Sequence, residues 1–375
     1  MLNSNRVNNW VEKKIIDICP LQRGYDLPKR KIIRGEYPVG YSNGILEYHN
    51  EYKAEGPGVF TGRSGTIGKV NYVEKNYWPH NTTLWVTDFK DNVPKYIYYL
   101  LKHIKLERYN AGTGVPTLNR NDVHGLKIAI PPIKEQERIA AILDTWDKAI
   151  ELKQQLIDLK REQKKGLMQK LLTGEVRLKG FNDDFKKVKL KDNIIEVRNR
   201  NRDNIPIPIL SVTNSNGFVK QTQHFGKRIA SIDVSKYKIV SKGEFAYNPS
   251  RVNVGSIDRL NEYPQGLLSP MYVIFKANEK KLSPQYLKQY LLSNEFNEKI
   301  KGLLEGSVRQ SLSFKSLQRL SLLLPMSIQE QESVSQILIT LDREIELLEK
   351  EIETLKEQKK GLMQQLLTGK TRVKV

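Results

Sequence analysis

The chain has 375 residues and carries 62 Lys or Arg against 42 Asp or Glu, a formal charge of +20. That length suits two or three domains with real cores, and the cationic excess suits a polyanionic partner, though an anionic membrane surface would meet the same charge. No run of about 18 apolar residues exists, which excludes a membrane-spanning helix; the single cysteine, Cys19, excludes an internal disulfide and a multi-cysteine zinc site; and Met1 to Arg6 lacks the apolar core of a signal peptide, so a cytoplasmic setting is expected.

Residues 1–130 read as a mixed α/β domain. Aromatic and β-branched residues dominate Tyr77 to Val86, and turn residues cluster at Ser42-Asn43-Gly44 and Gly56-Pro57-Gly58. The spacing predicts a helix over Val93 to His103, with Tyr96, Tyr99 and Leu100 on one face. A loop, Gly112-Thr113-Gly114-Val115-Pro116, leads into a short apolar strand ending at Pro131-Pro132.

From Glu135 to about Leu172 the pattern changes to a long polar helix without an internal proline. Leu143, Ile150, Ile157, Lys164 and Leu171 recur every seven residues, with Ile139, Trp146, Lys153, Lys160 and Leu167 as companions. The same pattern returns near the end of the chain as Leu338, Ile345, Ile352, Lys359 and Leu366, with Val334, Leu341, Leu348, Leu355 and Leu362. These are the a and d positions of a heptad held over four to five repeats, which argues for a coiled coil. Lysines in the first copy's seam fit, locally, a lone amphipathic helix lying on a domain; the second copy's cleaner seam opposes that. About 38 helical residues make a rod of about 57 Å, and Thr173-Gly174 and Thr368-Gly369 are sensible helix stops.

The two helices are copies. Residues 163–174 and 358–369 agree at eleven of twelve positions, differing only in Lys170 against Gln365. The match runs backwards without a gap at an offset of 195, through Asp147 and Asp342 to Gln136-Glu137 and Gln331-Glu332. That period far exceeds the roughly 20–50 residues of a solenoid repeat, so a whole domain-plus-helix unit is duplicated.

Residues 179–325 repeat the first domain's logic with different residues. Phe185 to Ile194 parallels Trp10 to Ile18, and Gly243-Glu244-Phe245 parallels Gly58-Val59-Phe60, each before a basic Gly/Ser-rich segment. Gly112, Leu118 and Pro131 match Gly306, Leu312 and Pro325 at an offset of 194. The globular parts have diverged where the helices have not. That contrast separates a common docking frame from two different reading heads.

Catalytic motifs fail on inspection. Gly62 to Lys69 resembles a phosphate-binding loop, but five residues separate Gly62 from Gly68 and Val70 follows Lys69. Tyr247-Asn248-Pro249-Ser250 lacks the second proline and the aromatic residue with which adenine methyltransferases hold a flipped base. His49, His80, His103, His124 and His224 show no metal-ligand spacing. His80 is readable either as a base contact or, with more weight, as a satisfied structural histidine.

Taken together, these residues carry a resemblance. A globular domain, then Pro131-Pro132 and Glu135-Gln136 opening a helix that ends in Gly-Leu-Met-Gln-x-Leu-Leu-Thr-Gly, and the same again, resembles the DNA-specificity subunit of type I restriction–modification systems. Arg63 to Gly68 and Tyr247 to Arg251 are similar to segments of that family's target recognition domains. One departure is the second junction, Pro325-Met326-Ser327-Ile328, which is one residue longer and lacks the Pro-Pro pair, leaving its geometry open.

The resemblance implies two α/β (α+β) target recognition domains, residues 1–130 and 179–325. They would be separated by two long antiparallel coiled-coil helices, residues 131–178 and 326–375, with pseudo-twofold symmetry from the internal repeat. It implies double-stranded DNA as ligand, two methyltransferase subunits that bind S-adenosylmethionine and methylate adenine, and restriction or motor subunits that use ATP and Mg. It further implies no cofactor, metal or catalytic residue on this chain itself. Each head would read one half of a bipartite site, positioned by phosphate contacts, and the helices would set the gap. The residues expected near DNA are Arg63, Ser64 and Thr66, with Thr113 and Arg120, in the first head, and Asn214, Asn248, Arg251 and Arg309 in the second. Two alternatives stay open: a stand-alone DNA methyltransferase or nuclease, and a silent or non-enzymatic DNA-binding scaffold.

Overall fold

The computed structural model describes residues 9–221, 233–306 and 310–374. Two compact units divide the chain, one made of Met1–Gln155 with Glu349–Val375 and the other of Leu156–Leu348. Both dividing lines cross a long helix. The central helix spans Ile133–Thr173, 41 residues, and the C-terminal helix spans Ile328–Leu367, 40 residues. Each unit therefore owns one globular head and a part of both helices.

In the first unit, Val11–Lys14 pairs antiparallel with Lys127–Ile130 and so brings the two ends of the head together. The main sheet is antiparallel, in the order Leu21–Arg23, Thr83–Val86, Gly58–Gly62 and Val70–Val73. A second sheet orders Gly44–His49, Tyr37–Tyr41 and Trp78–Pro79, the last pairing being parallel. The apolar run from Tyr77 to Val86 is thus two strands in two sheets, broken by a turn at His80-Asn81-Thr82. Proline supplies no ladder N–H, and Pro79 ends the first of them. The helix forms at Pro94–Ile104, with proline in its first turn where the missing N–H is harmless, and it buries Tyr96, Tyr99 and Leu100. Its core also receives Ile139 and Leu143 from the central helix and Leu366 and Leu367 from the C-terminal helix. Each such side chain, when fully buried, contributes about 1.5–3 kcal/mol.

The second unit repeats this plan. Lys186–Lys189 pairs with Ser321–Leu324, and the main antiparallel sheet is ordered Ile194–Val197, Val273–Ala277, Phe245–Tyr247 and Ile257–Arg259. The hairpin Leu210–Thr213 with Gly217–Lys220 and the pair Lys238–Ser241 with Gln265–Leu268 complete it. Helix Pro284–Leu291 matches Pro94–Ile104 and buries Tyr286, Leu287 and Tyr290. Met168, Leu171 and Leu172 of the central helix join Val334 and Leu338 of the C-terminal helix in its core.

Within each unit the helix segments run antiparallel. In the first, Lys153 meets Glu351 and Lys359 meets Asp147; in the second, Lys160 meets Glu344 at 2.7 Å and Lys164 meets Asp342 at 2.6 Å. Ile139, Leu143, Ile157, Leu171, Val334, Leu338, Leu341, Ile345, Ile352 and Leu366 are buried, while Trp146, Ile150, Leu167, Leu348, Leu355 and Leu362 are partly so. The seam lysines do not interrupt the pairing. Their aliphatic stems lie in the seam and their ammonium groups reach acids on the facing helix. Lys359 shows the cost: burial holds its pKa below the ordinary lysine value, against the raising effect of Asp147.

A buried joint fastens each long helix to its head. Gln136, 1% exposed, donates to Asn92 Oδ1 at 2.9 Å and to Pro131 O at 3.0 Å and accepts from the Val93 N–H at 3.0 Å. Gln331 donates to Lys281 O at 3.1 Å and Pro325 O at 2.9 Å and accepts from the Ser283 N–H at 2.7 Å. Val93 and Ser283 are the N-caps of the two head helices. One glutamine thus satisfies an orphan helix donor and the preceding strand's end. The extra residue of the second junction is absorbed before the helix starts, and the geometry at Gln331 is preserved.

Beside each glutamine lies a buried glutamate. Arg372 grips Glu135 with Nε and Nη2 at 2.7 Å each, and Trp10 Nε1 donates to the same carboxylate at 3.2 Å. Arg177 grips Glu330 at 2.8 and 2.9 Å while lying over the Phe185 ring. Burial alone would push the Glu135 carboxyl up; the hydrogen bonds of Arg372 and Trp10 overcome it and hold the group below the usual glutamate value. Its stabilisation is therefore complete above pH 4.5 and is lost as pH falls through the lower folded value. Replacing Arg372 with alanine strands a carboxylate that is 2% exposed. The expected loss is about 3 kcal/mol at pH 7, the low end for a buried pair missing one partner. The deficit relative to wild type should shrink below pH 4.5, where Glu135 takes up a proton. Urea unfolding at pH 7 and pH 4 checks this, and an equal deficit at both pH values would refute it.

Candidate nucleic-acid interface

In the first head, four loops converge where strands leave the two sheets. Gly58–Gly62 runs into the turn at residues 63–68, which folds back so tightly that a Cβ on Gly62 would sit 1.7 Å from Thr66 O. Only glycine fits there. Arg63 and Ser64 are half-exposed and Thr66 is exposed. The Arg63 and Ser64 N–H groups both donate to Thr82 O, at 2.8 and 3.3 Å, and the Gly65 N–H donates to Pro116 O at 2.9 Å. The loop carrying Thr113 is therefore stitched to the turn carrying Arg63, and Thr113 itself is exposed. The Leu118 N–H donates to Arg63 O at 2.8 Å; two residues on, exposed Arg120 opens the short helix Arg120–His124, whose Asn119 cap accepts from the Asn121 N–H.

His80 organises this cluster from within. The Ser42 N–H donates to Thr82 Oγ1 at 3.3 Å, and that hydroxyl lies 3.0 Å from His80 Nδ1. The Thr82 N–H donates to the same Nδ1 at 3.4 Å, and Tyr41 packs at a tilt against the ring with centroids 4.5 Å apart. A ring nitrogen that accepts this N–H carries no proton, so the Thr82 hydroxyl also points its proton at the ring. His80 is thus a structural residue: its Nδ1 holds Thr82 and, through Thr82, Ser42, Arg63 and Ser64 in one arrangement.

In the second head the hairpin tip at Asn214 meets the loop at residues 248–256. Asn214 Cβ lies 3.6 Å from the position a Cβ on Gly255 would take, and the Ser256 hydroxyl donates to Val212 O at 2.7 Å. Gly217, with φ +55°, lies so close to Asp258 that a Cβ there would stand 1.9 Å from Oδ2. Asn248 is half-exposed and Arg251 exposed, joined by the Arg251 N–H donating to Asn248 O at 2.9 Å. Leu312 donates its N–H to Pro249 O at 3.0 Å, as Leu118 does to Arg63 O. Asn214, Asn248 and Arg251 are thus brought together; Arg309 lies outside the described residues.

Sequence reasoning missed Ser42, Thr82 and Met271, whose Sδ lies 3.8 Å from Asn248 Nδ2, as members of these clusters, and Arg177 and Arg372 as joints. The arginines carried a signal, since both stand three residues after the Thr-Gly stop at the offset of 195. The others did not, because strand pairing brings them in from afar. Among the described residues no group of three or more His, Cys, Asp or Glu could hold a metal ion, and no helix is long and apolar enough to cross a membrane.

Burial lowers the His80 pKa from its ordinary 6.5. A histidine with a depressed folded value stabilises fully above pH 6.5 and loses that stabilisation as pH falls through the folded value. Protonation would remove the acceptor for the Thr82 hydroxyl. The His80 ring proton followed by NMR should titrate below 6.5, with amide shifts of Ser42, Arg63 and Ser64 moving in step; titration at or above 6.5 would refute the network.

The chain can now be set beside known proteins. Residues 8–161 match the family model described as the type I restriction modification DNA specificity domain. Over 303 residues, 75% of this chain and 69% of the relative, it is 30% identical to a putative type I restriction enzyme specificity subunit, MjaX, of Methanocaldococcus jannaschii. The MjaVIII specificity subunit of the same organism is 27% identical over 304 residues, 74% and 70% of the two chains. In fold it is similar to the crystal structure of a type I S subunit from M. genitalium, with TM-score 0.62, 19% identity and 98% of each chain covered. With whole-length fold, repeated helices and this relationship in agreement, the chain belongs to the family of type I restriction-enzyme specificity subunits.

Proposed function

We propose that this chain reads a bipartite DNA site, with one half-site for each target recognition domain, residues 1–130 and 179–325, and recruits methyltransferase and restriction subunits to it. The observation that carries the reading is a contrast between joints and loops. Glu135, Gln136 and Arg372 in one unit are matched by Glu330, Gln331 and Arg177 in the other. The loop clusters at equivalent strand ends hold different residues: Arg63, Ser64 and Thr66 with Thr113 and Arg120 in one, Asn214, Asn248 and Arg251 in the other. An identical frame carrying unlike polar loops is what two readers of unlike sequences require, since phosphate contacts position a head and base-edge contacts specify.

The formal charge of +20 supports the phosphate share of that binding. As a specificity subunit the chain is non-catalytic, and the relatives give no support to a stand-alone methyltransferase or nuclease. Methyl transfer to adenine with S-adenosylmethionine, and cleavage powered by ATP with Mg, belong in this reading to the partner subunits. The repeated outer faces of the helices (residues 131–178 and 326–375) are the docking surface for two methyltransferase copies.

Two outcomes are expected. Exchanging residues 1–130 for the first domain of another family member should change one half of the methylated motif, as read by methylome sequencing of a host carrying the hybrid; a change in both halves would refute independent reading. The purified chain with S-adenosylmethionine and unmethylated DNA should transfer no methyl group until a methyltransferase subunit is added, and transfer by the chain alone would overturn the non-catalytic role.

A further inference from the structure

Asn248 does not present a free amide. Its Oδ1 accepts the Ser250 N–H at 3.1 Å, a bond that only the carbonyl end of the side chain can make. The Nδ2 end is therefore turned outward, where it lies 3.8 Å from Met271 Sδ. The backbone beneath is fixed on both sides, by the Asn248 N–H donating to Ser256 O at 3.1 Å and the Leu312 N–H donating to Pro249 O at 3.0 Å. Met271 is 59% exposed although it follows Ser269 in a hydrogen-bonded turn and precedes buried Tyr272. A solitary exposed methionine is ordinary. A methionine against a fixed outward-facing donor forms a two-part surface, an N–H beside a polarizable apolar group.

Base edges in the major groove can be tested against that surface. Cytosine offers an N4 donor, which would set donor against donor, and adenine offers an N7 acceptor but no methyl. Guanine offers two acceptors and no methyl. Thymine alone offers an acceptor, O4, beside a C5-methyl group. Resting on the DNA-reading function proposed above, we infer that Asn248 and Met271 are specificity-determining residues that read a thymine in the half-site of the second head. An Asn248 Nδ2–H donates to O4 and the Met271 thioether packs on the C5-methyl. The first head lacks this pair. The common bonds from Leu118 to Arg63 and from Leu312 to Pro249 make Gly62 the counterpart of Asn248.

The test uses the full chain with its methyltransferase subunits on duplexes carrying the methylated motif, in the half-site assigned to the second head by domain exchange. Each thymine is replaced singly by deoxyuridine, which removes only the methyl. One position should weaken wild-type binding about three- to fivefold, the worth of a buried methyl. Met271→Ala should bind the thymine and deoxyuridine duplexes alike, and Asn248→Asp should move preference at that position from thymine toward cytosine. A half-site without an A·T pair, wild-type binding indifferent to every deoxyuridine, or an unchanged thymine-to-deoxyuridine ratio in Met271→Ala would overturn the assignment while motif preference survives. Loss of wild-type preference for the motif over a scrambled duplex would instead overturn the DNA-reading function and this assignment with it.

Discussion

The rest of the structure depends on two carboxylates that have no business being dry. Glu135 and Glu330 sit at the first turns of the long helices with side chains 2% and 1% exposed. Removing such a group from water costs several kcal/mol unless a countercharge meets it with good geometry. Each is met by a bidentate guanidinium, the strongest arrangement a carboxylate can find among side chains. The arginine comes from the segment after the other helix: Arg372 for Glu135, Arg177 for Glu330. Helix start, helix end and the head's opening strand are thereby held at one point in each unit. The neighbouring glutamine then ties that point to the N-terminus of the head helix. Apolar residues could fill the same volume, but they would not demand one partner in one orientation.

The seam follows the same logic with softer parts. A coiled coil of leucine and isoleucine alone is indifferent to register, and a buried polar group is the usual remedy. Lys164 with Asp342, and Lys359 with Asp147, occupy positions 195 residues apart in both partners, so the same pair occurs once in each unit with the helices' roles exchanged. Burial of Lys359 works against its charge, and Asp147 also accepts from the Tyr99 hydroxyl at 2.8 Å. That hydroxyl belongs to the head helix. Register of the helix pair and seating of the first head are consequently one network. In the second unit the residue at the matching place is Gln289, whose Oε1 is buried without a hydrogen-bond partner among the described residues.

Much of this could be read from the residues, and the failures have a common cause. Periodicity exposes helices because the information is local, and duplication doubled it; the seam positions and the matches of Leu118 with Leu312 and Pro131 with Pro325 needed no coordinates. The split of Tyr77 to Val86 between two sheets was not legible, because a short apolar run looks the same in one strand or two. The loop clusters were half legible. Arg63, Ser64, Asn248 and Arg251 announce themselves in basic Gly/Ser-rich segments, whereas Thr82, Ser42 and Met271 reach those segments only through strand pairing. His80 was readable either way until Thr82 was seen to engage its Nδ1.

That division of labour bears on how the proposed reading surface can vary while its carrier does not. In the first head the side chains that hold the cluster (His80, Thr82 and Gly62) differ from those that face outward (Arg63, Ser64 and Thr66), and backbone groups make most of the stitches between loops. A stitch from Thr82 O to the Arg63 N–H survives any residue at position 63 except proline. The second head shows the consequence. Proline stands at 249, where the counterpart of Arg63 falls, and it brings no N–H to make that stitch; the carbonyl still accepts from Leu312 as its counterpart accepts from Leu118. The outward side chains have changed from Arg63, Ser64 and Thr66 to Asn248, Arg251 and Met271, and the bond beneath them has not. A frame fastened by main-chain groups and buried polar joints leaves its tips free to differ, which is the physical condition for evolving a new half-site without rebuilding the domain that carries it.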